Sequence, residues 1–119
     1  MVMSYRDLVA WNKAMEMVTE IYRVTRKFPK EEIFGLVSQL RRSSISIPGN
    51  IAEGKGRLSK GEFRQFLGIA RGSLAELETQ ILIAQNLSYL DGAEANRLLT
   101  KVEEVGKILN GLISAVKNQ

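Results

Sequence analysis

The chain has 119 residues, with 17 Lys or Arg against 13 Asp or Glu, a formal charge of +4 and a pI of about 9.6. It contains neither His nor Cys. That excludes a disulfide framework, a thiolate nucleophile, a Cys-ligated zinc or iron–sulfur centre and an imidazole base. Any metal site would be all-oxygen.

A hydrophobic share of 45% with 25% charged residues suits one globular domain over residues 1–119 and disfavours disorder. The start carries Arg6 and Asp7 with no apolar core of a leader, and no apolar run approaches the ~20 residues of a membrane span. The sequence therefore predicts a cytoplasmic protein with no membrane contact. Zero Cys fits a reducing compartment without requiring one.

The first helix is predicted over Tyr5–Lys27. Ser4 and Asp7 are spaced as a capping box with Asp in place of Glu, and Met3 and Leu8 as a hydrophobic staple. Leu8, Trp11, Met15, Val18, Tyr22 and Thr25 advance by threes and fours. So do Ala10, Ala14, Met17, Ile21, Val24 and Phe28. Together the two series cover roughly 200° of the helix, beyond the ~100° of a surface helix. This predicts one face in the bundle and one against another subunit, unless the small Ala residues are simply exposed.

Phe28-Pro29 ends that helix, and Lys30-Glu31-Glu32 is expected to open the second. Ile33, Val37, Leu40, Ser44, Ile47 and Ile51 keep their period across Pro48, which predicts a helix that continues through the proline with a kink. Pro48 leaves the Ser44 carbonyl without its donor, and Ser43, Ser44 and Ser46 offer hydroxyls nearby. The helix should stop at Gly54-Lys55-Gly56 with a left-handed glycine cap.

Ser59 with Glu62 opens a third helix running to about Leu90. Its seam is Phe63, Leu67, Ala70, Leu74, Leu77, Ile81 and Ala84. Asp91 with Glu94 opens a fourth, with the seam Ala95, Leu98, Val102, Val105, Leu109, Leu112 and Val116. No strand-like alternation appears. Four long helices with short connections predict an all-α, antiparallel up-down four-helix bundle.

The charge is concentrated. Between Ser38 and Ser73 lie Arg41, Arg42, Lys55, Arg57, Lys60, Arg64 and Arg71 against Glu53 and Glu62 only, a net +5 that leaves −1 for the rest. The second and third helices should bring most of this charge to one end of the bundle. These seven residues are the candidate contacts to structured RNA or DNA. The competing reading is a solvated face whose arginines pair with carboxylates of neighbouring subunits. Phe63 and Phe66 are the only aromatics in this stretch and Phe63 belongs to the core seam, so backbone or shape recognition is expected rather than base stacking. Gln39, Ser43, Ser46, Asn50, Glu53 and Arg57 form a polar stripe on the second helix. It suits a conduit, a binding ridge, a solvated face or an interhelical hydrogen-bond network.

Catalytic motifs fail in detail. Gly49 to Gly56 follows the phosphate-binding pattern G-x-x-x-x-G-K-[ST] until its last position, where Gly56 offers no hydroxyl for Mg²⁺, and no strand precedes it. Glu76 and Glu78 are too few for a carboxylate-bridged metal site. Ser43, Ser44 and Ser46 lack an imidazole, and nothing marks a Ser–Lys arrangement with Lys55. The expectation is a protein that is not an enzyme and needs no metal or cofactor.

Three stretches carry a family resemblance: Phe28-Pro29 with Phe34-Gly35-Leu36, then Gln39 through Gly54 with its Ile-Pro-Gly-Asn-Ile-Ala-Glu-Gly motif, then Phe66 through Thr79. Gly56-Arg57, Leu8 to Trp11 and Ala14 also fit. The chain resembles the bacterial four-helix-bundle proteins encoded in intervening sequences of 23S rRNA genes. The resemblance implies a ring-shaped homopentamer and suggests a connection to RNA. It is also similar in architecture to the accessory protein of diversity-generating retroelements, which implies a second possibility: a scaffold recruiting a protein partner such as a reverse transcriptase.

Overall fold

The computed structural model describes residues 4–117 of the chain. Ser4 caps as expected: its hydroxyl accepts from the Arg6 amide at 3.1 Å, and Asp7 Oδ2 accepts from the Ser4 amide at 3.0 Å. The capped element is a 3-10 turn over Tyr5–Asp7 and not the first turn of a long helix. Leu8 is extended (φ −77°, ψ 127°), so α1 starts anew at Val9 and runs Val9–Thr25. The predicted staple partner Met3 lies outside the described residues.

After Phe28-Pro29 a second 3-10 turn spans Lys30–Glu32. Gly35, at φ −109° and ψ −113°, separates it from α2, Leu36–Lys55. The predicted start at Lys30 is thus six residues early. Glu32 nevertheless serves the helix: its Oε1 accepts from the Leu36 amide at 3.1 Å, satisfying one of the free first-turn donors. α2 runs through Pro48, as the unbroken apolar period predicts. The serine hydroxyls go elsewhere than the Ser44 carbonyl. Ser44 donates to the Arg41 carbonyl, Ser43 donates to Gln80 Oε1 with the Gln39 carbonyl 3.0 Å from the same hydroxyl, and Ser46 pairs with Ser73. Gly56 ends α2 at φ −80°, in the right-handed region, which corrects the expected left-handed cap.

α3 spans Lys60–Asn86 and α4 Gly92–Lys117. Ser59 Oγ accepts from the Glu62 amide at 3.1 Å, and Asp91 Oδ1 from the Glu94 amide at 2.8 Å. α3 stops four residues before the predicted Leu90, because Ser88 adopts φ 64° and turns the chain. Among the described residues all regular structure is helical, and no helix is long and apolar enough to cross a membrane.

The four seams meet in one core. Met17, Ile21, Leu40, Ile47, Ile51, Leu67, Leu77, Ile81, Leu98 and Leu109 are its fully buried large side chains. In α4 the core takes Ile113, and Leu112 is only half-buried, so the seam slips by one position near the helix end. On α1 the Ala10 series is buried throughout. Of the second series only Thr25 is buried; Met15 is 42% exposed and the others are half-buried.

Side chains between helices give their register. Lys13 pairs with Glu104, Glu20 with Arg97 and Arg23 with Glu94, so residue numbers fall along α4 as they rise along α1. Ser43–Gln80, Ser46–Ser73 and the approach of Gly54 to Phe66 relate α2 and α3 in the same opposed sense. The polar stripe on α2 is in part this network. Ser43 donates to Gln80 Oε1 at 2.6 Å, Ser46 and Ser73 are 2.8 Å apart, and Asn50 donates to Ser46 Oγ at 2.9 Å. Gln39, Glu53 and Arg57 remain exposed.

Two polar clusters tie the end opposite the α2–α3 turn. Arg23 and Arg97 each bridge Glu20 and Glu94. Contact with Glu20, more than with Glu94, raises the Arg23 pKa further above its ordinary range. The Tyr89 hydroxyl donates to Glu32 Oε2 at 2.9 Å, and that hydrogen bond, ahead of desolvation, raises the Tyr89 pKa. A raised pKa means that the fold favours the neutral phenol. The contribution is full below the unfolded value of about 10 and is lost as pH rises through the folded value. Tyr89→Phe should therefore reduce the alkaline loss of stability above pH ~10 in a thermal-melt series. Identical alkaline profiles for the two proteins would refute this.

Candidate nucleic-acid interface

Four of the seven candidate cations gather around the α2–α3 turn. Lys55 closes α2, with its Nζ 5.6 Å from the centre of the Phe63 ring. The Arg57 guanidinium lies 4.7 Å from the Phe66 ring centre, donates to Glu53 at 2.7 Å and approaches Glu62 at 4.0 Å. Lys60 is exposed at the first position of α3, and Arg64 is exposed one turn later. Stacking on Phe63 and Phe66 holds the Lys55 and Arg57 stems against the bundle while the charges stay near water. Leu58, fully exposed, forms the tip of the turn. A groove of about 280 Å³ opens beside it, bounded by Lys55, Lys60, Leu8 and the C-terminal turn of α4.

The turn can form there because α2 and α3 approach closely at Gly54. A Cβ on Gly54 would sit 2.6 Å from the Phe66 Cβ and 3.2 Å from the Phe63 carbonyl oxygen. The glycine-rich stretch that imitates a phosphate-binding loop is helical up to Lys55, and its Gly54 serves packing.

The other three candidates lie elsewhere. Arg41 is about 21 Å from Lys55 along α2, at 1.5 Å per residue. It is half-buried against α1, 4.5 Å from the Tyr22 ring centre, with its Nε donating to Thr25 Oγ1 at 3.0 Å. Arg42 is exposed on the other side of α2, beside α3. Arg71 faces α4, donates to Asn110 Oδ1 at 3.2 Å and shares its groove with Glu78 and Glu103. The seven cations thus do not form one patch. The hairpin places Lys55, Arg57, Lys60 and Arg64 together, Arg42 apart, and Arg41 and Arg71 in contacts between helices. Period alone could not separate Arg41 from Arg42, since the sorting depends on which neighbours flank α2.

Phe34 was not among the candidates. It lies off every seam, in the connection before Gly35, and is 95% exposed at the edge of the cleft that contains Arg42. Its signal in the sequence is an aromatic in a short connection with no periodic partner.

The fold and this surface define a small all-helical bundle with a basic hairpin. Residues 6–111 match the 23S rRNA-intervening sequence protein family, and the chain belongs to it. No protein of curated function matches the chain. Among solved structures it is similar to a protein of unknown function from the S23 ribosomal protein family of Bacteroides thetaiotaomicron VPI-5482. The two share 24% identity with a TM-score of 0.83, over 89% of this chain and 96% of the other. That likeness speaks to the fold.

Proposed function

We propose that the chain is a non-enzymatic homo-oligomer that binds RNA or DNA backbone through the cations of its α2–α3 turn. The observation that carries this reading is the convergence of Lys55, Arg57, Lys60 and Arg64 on one end of the hairpin, two of them braced on aromatic rings. Such a surface attracts phosphate without reading sequence.

Arg57→Glu with Lys60→Glu is the sharp test, because neither residue packs in the core. Filter binding across a salt series should lose affinity for every sequence alike, with the salt slope falling by about two. Absence of binding by the unaltered protein at low salt, or binding unchanged in the double variant, would overturn the reading. Arg41→Glu is unsuited to the purpose, since it would break the contact with Tyr22 and Thr25.

Oligomerisation is supported by apolar side chains left in water away from the cleft between α2 and α3: Met15 on α1 and Leu82 on the side of α3 that faces α4. The family resemblance specifies five copies. Light scattering at micromolar concentration should give about five times 13.3 kDa; a 13.3 kDa particle would refute the oligomer. A scaffold recruiting a protein partner is the second reading, favoured by Leu58 standing bare at the tip of the turn. If it holds, Leu58→Ser, which removes the apolar side chain without changing the charge of the turn, should abolish partner recovery and leave RNA binding unchanged.

A further inference from the structure

A cleft of about 410 Å³ runs between the first half of α2 and the middle of α3; hydrogen bonds between the helices account for Ser43 and Ser46 in its lining, but not for Phe34, Arg42 and Glu76. Phe34 stands at its edge with 95% of its surface in water. Arg42 extends from α2 into the same cleft and, among the described residues, forms no ion pair, hydrogen bond or ring contact. Across from it, Glu76 on α3 is exposed and has no cation within 4.0 Å among the described residues. At the floor lies Gln80, only 7% exposed. Its Oε1 accepts from Ser43 at 2.6 Å, which fixes the side-chain amide. Its amide nitrogen has no partner among the described residues, yet it is not sealed off from solvent.

These groups form a set. There is a bare aromatic face, a free guanidinium, a fixed amide donor at depth and a carboxylate acceptor. A ligand that satisfies all four is planar, carries both acceptors and donors on its edge, and bears one anion. We propose that the cleft holds a single unpaired nucleotide of an RNA or DNA loop. The base stacks on Phe34, its edge meets Gln80 and Glu76, and its phosphate lies against Arg42. Stacking on an aromatic and hydrogen bonding at the base edge are how proteins take up unstacked nucleotides.

Glu76 limits the anion to one, because a second phosphate would face a carboxylate. An acidic peptide meets the same repulsion, and Phe34 is the one apolar side chain lining the cleft, which leaves little to anchor peptide side chains. The proposal rests on the nucleic-acid reading above and adds base stacking to the backbone contact expected from the sequence.

The test uses the full chain and a ten-nucleotide single-stranded RNA, uridine-rich with one central 2-aminopurine. Binding at low salt should change the 2-aminopurine emission. Phe34→Ala, which alters a side chain outside the core, should abolish that change and weaken binding about 5- to 150-fold. Arg42→Gln should lower the salt slope by about one. A fully paired duplex should bind the unaltered protein and Phe34→Ala equally. If Phe34→Ala binds the single strand as tightly and with the same emission change, the site is wrong while backbone binding stands. If the unaltered protein binds no RNA or DNA at all, both readings fall. Phe34-dependent binding of a fluorescein-labelled poly-Asp decapeptide, with no emission change from the RNA, would overturn the nucleotide in favour of a peptide.

Discussion

Gly54→Val should cost about 3 kcal/mol of stability and lower the melting temperature by about 12 °C, at roughly 4 °C per kcal/mol for a chain of this size. The cause is distance. A Cβ at position 54 would lie 2.6 Å from the Phe66 Cβ, 3.1 Å from Phe63 Cδ1 and 3.2 Å from the Phe63 carbonyl oxygen. Two of those atoms belong to the backbone or sit next to it, so no rotamer change relieves the contact. The helices must part at the end where Lys55, Arg57 and Lys60 converge, and nucleic-acid binding should weaken together with stability. Gly49→Ala, five residues earlier on the same helix, is the control. Nothing lies within 4 Å of its Cβ position, so the gain in helix propensity should raise stability by about 0.5–1 kcal/mol. Equal melting temperatures for the two variants would refute the packing role of Gly54.

Leu77→Ala should be of comparable size, costing about 2–5 kcal/mol, or about 8–20 °C in the melt. Leu77 is fully buried midway along α3, which contacts both α2 and α4. The loss combines the transfer term of the removed methyls with the cavity left behind. Long helices on either side restrict collapse into the gap, which favours the upper part of the range. Urea unfolding should shift its midpoint and leave its slope unchanged. A shift below about 1 kcal/mol would mean that this part of the core is loosely packed.

Most of the fold was legible because helix formation is a local matter. Ser4, Ser59 and Asp91 announce their elements by spacing alone, since a capping side chain reaches only two or three residues along its own chain. The apolar period across Pro48 carried α2 through the proline. Misreadings cluster where a local signal met a tertiary demand. Lys30-Glu31-Glu32 has the composition of a helix start, but Glu32 is engaged with Tyr89 and with the Leu36 amide, and Gly35 breaks the chain before α2 begins. The left-handed cap expected at Gly56 did not form: Gly56 stays right-handed, with its amide donating to the Ala52 carbonyl at 3.1 Å, and the glycine that close packing requires is Gly54.

The candidate interface was less legible. A net +5 between Ser38 and Ser73 could be counted from the chain, but counting places seven cations on one hairpin without saying which neighbours they meet. Arg41 lies over Tyr22, Arg71 is bound to Asn110 and Arg57 is paired with Glu53, while Lys55, Lys60, Arg64 and Arg42 have no ion pair among the described residues.

By itself the sequence determined four amphipathic helices, the N-terminal caps of α3 and α4, a core seam for each helix, and a chemistry without imidazole or thiol. Each of these follows from residues within one or two turns of each other. Only the tertiary structure decided that Phe34, Arg42, Glu76 and Gln80 share a cleft, that Gly54 is the point of closest approach between α2 and α3, and that the polar stripe is partly spent on hydrogen bonds to α3. Those facts depend on how two helices face one another. The periodicity of each helix alone leaves that unspecified.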